Sequence, residues 1–269
     1  MKLQNKTFNV LVFGDIIGRS GRKAVLKYAK SLKEQYQVDL LIVNGENASH
    51  GNGLNYKQYQ ELVKAGCDVI TMGNHTFGNK EIYSYAVKAK QMILPMNLNN
   101  LSDCFQNNLY YETIIKDKTI RVVNLLGKGN MRLETNFPFE VFDKFYQTNP
   151  DALYLIDYHA EFTAEKNSLG YYLDGKASLI FGTHTHVQTA DERILPLGTA
   201  YITDVGMCGA RESVIGFDYQ DVLKSMTSIE KKPYGVAKNN PIMINGLFVT
   251  IDLKTKKALS IKRINIDVE

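Results

Sequence analysis

Five short apolar runs of this chain end in side chains that bind cations. The first closes on Gly14-Asp15, the second on Gly45-Glu46-Asn47 and the third on Gly73-Asn74-His75. Two later runs close on Asp157-Tyr158-His159 and on Gly182-Thr183-His184-Thr185-His186. Four of the 5 histidines stand at these ends, and the fifth, His50, follows Asn47 in a glycine-rich loop. Imidazole nitrogen mixed with carboxylate and carboxamide oxygen, without thiolate, suits a borderline divalent ion such as Mn, Fe, Zn or Ni. One ion takes ~4–6 ligands. The set Asp15, Glu46, Asn47, Asn74, His159, His184 and His186 exceeds a single tetrahedral site and points to two ions. Two ions ~3.5–4 Å apart form the clamp used for in-line displacement at phosphorus. Such a pair needs a bridging carboxylate, and Glu46 is the candidate. In an extended segment, residues two apart face the same side, so His184 and His186 are expected to aim at one spot.

Each piece alone has a plainer reading. Asp15 could cap the following helix, Glu46 and Asn47 could be turn residues, and a lone histidine is usually a core or surface residue. Ligand types at five successive strand ends favour chemistry over capping. The loop Gly14 to Gly21 has the wrong glycine spacing for a dinucleotide fingerprint and lacks the Lys-Ser/Thr pair of a phosphate-binding loop.

The elements that must hold these residues alternate in type. Asn9–Phe13, Leu40–Val43 and Val69–Met72 read as strands. Helical spacing over Ser20–Tyr36, Tyr56–Ala65 and Glu81–Lys90 separates or follows them. Strands apolar on both faces argue for an α/β fold whose sheet is covered by helices and is at least partly parallel. Arg121–Leu126, Ala152–Ile156, Ser178–Phe181, Ala200–Thr203 and Leu247–Ile251 continue as strands. Leu259–Ile266 alternates like an exposed edge or final strand. Residues 127–150 and 206–241 read as long loops, and residues 1–269 as a single domain. In open α/β sheets ligands bind beyond the carboxyl ends of strands, where the polar clusters fall.

Composition sets the bounds. The chain has 269 residues, of which 44% are hydrophobic and 22% charged, and a net charge of +4. These values are those of a globular protein and exclude a disordered chain or a coiled-coil rod. No long Lys/Arg run marks a dedicated nucleic-acid binder. Cys67, Cys104 and Cys208 lack metal-ligand spacing and make an odd count, so a reducing cytoplasm is expected rather than a disulfide scaffold. Lys2 and Lys6 imitate a basic leader, but Val10–Phe13 is too short for a signal peptide. No run approaches a membrane span.

Taken in order, Asp15, Gly45-Glu46-Asn47, Gly73-Asn74-His75, His159 and Gly182-Thr183-His184-Thr185-His186 resemble the calcineurin-like metallophosphoesterases. More narrowly the chain resembles the YmdB family of bacterial phosphodiesterases. That branch is marked by Val43–Ala48, Asp157–Glu161, Gly182–Asp191 and Thr203–Met207. The resemblance covers essentially the whole chain. It implies a four-layer α/β/β/α sandwich with two packed, largely mixed sheets, and a binuclear site, commonly iron, with manganese or zinc as alternatives. By motif position, one metal takes Asp15, Glu46, Asn47 and His186. The other takes Glu46, Asn74, His159 and His184, and His75 is the proton donor. Three positions depart from the wider superfamily: Ile17 in place of a histidine, Glu46 in place of an aspartate, and Thr76 in place of an acid.

The activity implied is on cyclic nucleotides, notably 2',3'-cyclic nucleoside monophosphates. In that reaction metal-held hydroxide attacks phosphorus, and His75 protonates the leaving alkoxide. Imidazole suits the task because it titrates near neutrality. Opening at the 2'-bond leaves a 3'-phosphate. A phosphomonoesterase would use the same clamp plus a positive pocket, for which Arg211 is the basic residue on offer. A third reading is a regulatory RNA- or protein-binding module with a structural metal. Its contact surface would be Lys231-Lys232-Pro233 and the tail Lys254 to Arg263. The partner expected is a small cyclic nucleotide or phosphate ester. Nucleic-acid binding and homo-oligomer formation stay open.

Overall fold

The computed structural model describes residues 7–229, 233–238 and 241–268. Along β1 (Thr7–Ile16) the side chains alternate between two destinations. Leu11 and Phe13 join a core with Val25, Ala29 and Leu32 of α1 (Gly18–Gln35) and Leu62 of α2 (Tyr56–Lys64). Phe8, Val10 and Val12 point the other way, into a second core. Period-two alternation with both phases apolar is what a strand buried on both faces requires.

The second core lies between two sheets. One has seven strands in the order β13 (Ala258–Val268), β12 (Ile242–Asp252), β11 (Met207–Ala210), β1, β2 (Leu40–Asn44), β3 (Val69–Thr71) and β4 (Met92–Ile93). The other has six, in the order β5 (Tyr110–Ile115), β6 (Lys118–Leu126), β7 (Leu153–His159), β8 (Leu179–Thr183), β10 (Ala200–Ile202) and β9 (Arg193–Ile194). Leu247 and Val249 of the first sheet meet Val122, Leu155 and Phe181 of the second in that core. A third core joins the outer face of the second sheet to Phe142 of α4 (Pro138–Tyr146) and Leu169 of α5 (Thr163–Tyr172). The layering is helix, sheet, sheet, helix.

Both sheets are mixed. The run β1-β2-β3-β4 is parallel, whereas β12 is antiparallel to β1, β11 and β13. In the second sheet β6, β7, β8 and β10 are parallel, flanked by antiparallel β5 and β9. As expected, the C-terminal alternating segment is an edge strand. Among the described residues no helix is long and apolar enough to cross a membrane.

Several expectations need correction. The stretch 127–150 contains α4, started by Pro138, whose fixed φ suits the first turn. The stretch 206–241 contains β11 and α6 (Tyr219–Thr227), the latter capped by the Asp218 carboxylate. The third helix is short: α3 covers only Ile82–Tyr85 and gives way to a 3-10 turn at Ala86–Lys88. There Tyr85 is pinned, its hydroxyl donating to the Leu54 carbonyl at 2.6 Å. Lys231 and Lys232 lie outside the described residues. In the C-terminal tail, Arg263 pairs with Glu192 at 2.8 Å.

Candidate metal centre

The polar strand ends converge. Asp15 closes β1, Glu46 and Asn47 follow β2, and Asn74 and His75 follow β3. His159 closes β7 of the other sheet, and His184 and His186 follow β8. Each sheet therefore supplies part of one cluster.

Glu46 stands in the middle. It is fully buried, and its Oε1 lies 3.2 Å from His159 Nε2 and 3.1 Å from Asn47 Nδ2. Its Oε2 accepts the backbone N–H of His75 at 2.8 Å. On the His159 side, Asn74 Oδ1 is 2.8 Å from His159 Nε2, and the His184 ring centroid is 4.8 Å from that of His159. On the other side, His186 Nε2 lies 3.2 Å from Asn47 Nδ2 and 3.8 Å from Asp15 Oδ1. All seven residues thus share one site, in two groups that meet at Glu46. His75 stands at its rim, with its Nδ1 2.7 Å from Asn47 Oδ1 and its side chain 41% exposed.

The donor set fits cations. Asp15 Oδ1 is buried with no hydrogen-bond partner, and an orphan carboxylate oxygen is costly unless something positive meets it. Glu46, His159 and His184 each offer a ligand atom within 4.8 Å of the others. The electrostatics agree. Burial raises Asp15 from 3.8 to about 7, although His186 and His159 oppose it. Burial also acts to raise Glu46, but His159 outweighs it and holds the carboxylate at about 2. His159 moves the opposite way, from 6.5 to about 9: burial lowers it, and the Glu46 charge more than reverses that. A proton on His159 offsets charge that a cation would otherwise offset.

Hydrogen bonds on the far ring nitrogens fix which nitrogen faces inward. His159 Nδ1 meets Thr183 Oγ1 at 2.8 Å, and that hydroxyl donates to Asp157 Oδ1 at 2.7 Å. The hydroxyl proton is thereby committed, so Nδ1 carries a hydrogen in either charge state, and Nε2, which holds the extra proton here, is the nitrogen a cation would take in its place. Asp157 is buried, which raises its pKa, and it also takes bonds from Thr71 Oγ1 and from Asn44 Nδ2 at 3.3 Å. His186 donates from Nδ1 to the Ile215 carbonyl at 2.9 Å, again freeing Nε2. His184 Nε2 pairs with Glu161 at 2.8 Å, so Nδ1 is its uncommitted nitrogen. Such outer partners set tautomer and ring orientation in metal sites. Burial lowers the His184 pKa to about 3, helped by His159, and keeps the ring neutral.

Asp157, Thr183 and Glu161 escape the sequence reading as site residues, although it quotes their motifs. The signal available was Asp157 itself, a carboxylate inside an apolar strand run and two residues before His159, hence on the same face.

His184 and His186 are not in extended backbone. Their φ values are 93° and 62°, in the left-handed region that non-glycine residues avoid. The two rings therefore diverge, one toward each group. Asp204 holds this turn: its Oδ2 accepts from Thr185 N at 3.1 Å and Thr185 Oγ1 at 2.6 Å, and pairs with buried Lys166 at 2.7 Å. Gly73 explains itself sterically, since a Cβ there would lie 2.3 Å from Glu46 Oε2 and 2.4 Å from His159 Nε2. Asp15 caps no helix; α1 begins without a side-chain cap. Arg211 forms an ion pair with Asp267.

Known proteins are similar to this chain in sequence and in fold. A 2',3'-cyclic-nucleotide 2'-phosphodiesterase of Bacillus subtilis (strain 168) is 40% identical over 260 residues, which span 96% of this chain and 97% of that protein. The crystal structure of a novel phosphatase of Mycoplasma pneumoniae superposes with a TM-score of 0.92 at 37% identity, covering 97% of this chain and 94% of that one. A hypothetical protein of Thermus thermophilus gives 0.89 at 30% identity, covering 97% of this chain and all of that one. The model describing YmdB-like proteins matches residues 11–264. With two packed sheets, a His/Glu cluster where they meet and these relatives, the chain belongs to the YmdB-like family and is a metallophosphoesterase.

Proposed function

We propose that this enzyme hydrolyses 2',3'-cyclic nucleoside monophosphates to 3'-monophosphates at a binuclear centre, iron being the first choice of metal and manganese or zinc the alternatives. The observation that carries the two-metal reading is the position of Glu46 Oε1, 3.1 Å from Asn47 and 3.2 Å from His159. The substrate class rests on the activity named for the Bacillus subtilis relative. Asp15, Glu46, Asn47 and His186 would hold one ion, and Glu46, Asn74, His159 and His184 the other. Bound ions supply Lewis acidity and lower the pKa of water from 15.7 to ~7.

The chain's own residues do the rest. Glu46 and Asp15 bring negative charge into a dry pocket, where opposite charges attract far more strongly than in water. Asn47 orients His75 through Nδ1, which leaves Nε2 on the partly exposed side of the ring. An Asn47 amide turned by 180° would bring its oxygen to where Nδ2 now stands between His186 and Glu46, without movement of the chain, and would set Nδ2 as a donor to His75 Nδ1, so that the neutral ring carries its hydrogen on Nε2 to give to the departing alkoxide. The test is hydrolysis of 2',3'-cyclic AMP by protein loaded with Mn or Fe, with the product isomer identified. A single 3'-phosphate, lost on chelation, is expected. No turnover with metal demonstrably bound would sink the substrate class and turn attention to monoesters.

A further inference from the structure

Lys166 is 1% exposed, and a lysine is almost never fully buried unless it is paired. It is the fourth residue of α5, where the helix dipole disfavours a cation, so the helix itself gives no reason for it. Its stem passes Gly182 of β8, where a Cβ would lie 3.0 Å from Lys166 Cδ. The glycine just before the ligand turn therefore makes room for this side chain. The ammonium group ends 2.7 Å from Asp204 Oδ2.

Asp204, fully buried, reaches both walls of the centre. Besides the two bonds from Thr185, its Oδ1 accepts from Gly206 N at 2.8 Å. Thr185 lies between His184 and His186, and the Gly206 carbonyl accepts from Asp15 N at 3.1 Å. One carboxylate thus ties the turn of the second-sheet histidines to the strand end that carries Asp15. The tie matters because His184 and His186 both take positive φ, and such backbone persists only where its surroundings over-determine it. All four groups that Asp204 binds are donors, a set that an ionised carboxylate satisfies in full. In a dry interior that charge needs a paired cation, and Lys166 is the one it has.

We propose that Lys166 is a positioning residue for the metal centre, acting through Asp204 to clamp Thr185 so that His184 faces one ion and His186 the other; the assignment rests on the two-ion reading above. The signature of this role is that both ions respond together, because the clamped turn carries one histidine of each group. An outer partner of a single ring, such as Glu161 on His184, serves one ion only.

The test is titration calorimetry of the metal-free full chain with Mn. Thr185→Val deletes the hydroxyl that Asp204 holds and keeps the ion pair, whereas Thr185→Ser keeps both. Thr185→Val is expected to weaken both binding steps ~5-fold, the worth of one hydrogen bond, and Thr185→Ser to bind like the parent. Lys166→Met, which leaves Asp204 without its cation, should weaken both steps ~10–100-fold. Leu169→Val, in the core beneath the same helix, controls for general loosening and should bind like the parent. Parental affinity in Thr185→Val or in folded Lys166→Met, an equal loss in Leu169→Val, or weakening of one step alone overturns the assignment. If Lys166→Met does not fold, the two Thr185 variants decide the matter. If the parent takes up a single ion per chain, the two-ion reading fails alone. The positioning role then stands on a loss in Thr185→Val that Thr185→Ser restores, and falls without it.

Discussion

His75 and Asp157 sit at opposite ends of the same network, and substitution separates their roles. His75 touches the cluster through its backbone N–H on Glu46 Oε2 and through Nδ1, which meets Asn47 Oδ1 at 2.7 Å and lies 3.6 Å from Glu46 Oε1. His75→Ala is expected to lower kcat by ~10²–10⁴-fold, the usual range for a lost proton donor. Metal content by elemental analysis should stay near that of the parent, and equal loss of both would make His75 a support for the metals instead. Asp157 has the reverse profile, being buried behind Thr183 and remote from solvent. Asp157→Asn puts an amide among the donors Thr71, Asn44 and Thr183 and unsettles the hydrogen on His159 Nδ1. Metal affinity is expected to fall ~10–100-fold, read by titration calorimetry. An unchanged affinity would reduce Asp157 to a packing residue.

At the scale of elements, close backbone approach decides which segments are neighbours. A Cβ on Gly14 would lie 2.0 Å from the Gly206 carbonyl oxygen, where β1 runs beside β11. Backbone cannot swing aside as a long side chain can. Gly14→Ala should therefore cost at least ~1–3 kcal/mol in urea unfolding, whereas Gly235→Ala, whose Cβ meets nothing nearer than 4.0 Å, should be close to neutral. β1, β2, β3, β6, β7, β8, β10 and β12 were legible from sequence because both faces are apolar, and β13 from its alternation, whereas β4, β5 and β9, short or half-exposed, were missed. The ligand ends were legible because cation-binding types are rare at so many strand ends. α5 was not legible because its inward positions include Lys166, which reads as surface until the buried Asp204 is known. β11, with sequence Met-Cys-Gly-Ala, carries no branched or aromatic strand former and is a strand because β1 and β12 flank it. The turn at His184 to His186 was misread because both histidines take positive φ there, held by tertiary bonds to Asp204 and Ile215.

For the molecule as a whole, the buried charges tie stability to pH and metal. Without a cation, burial raises Asp15 from 3.8 to about 7, and the Glu46 charge, outweighing burial, raises His159 from 6.5 to about 9. Both groups hold protons in the folded chain that the unfolded chain has already released. The His159 contribution is full below ~6.5 and lost as pH rises through about 9, and the Asp15 penalty grows between ~4 and ~7. Glu46, held at about 2, contributes above 4.5 and loses that only as the pH falls toward 2. The melting temperature of metal-free protein should fall from pH 5 to pH 9. A bound cation replaces those protons, so the gap between metal-loaded and metal-free protein should widen over the same range. A gap of constant width would contradict this account. The span of the centre along the chain has a temporal side as well. Asp15 Oδ2 accepts from the backbone of His184, 169 residues later. A chain growing on the ribosome carries Asp15, Glu46 and Asn74 long before it carries the histidines of the second sheet. The complete centre therefore forms only after most of the polypeptide has been made and the two sheets have met, so full metal capture is a late event in the maturation of this enzyme.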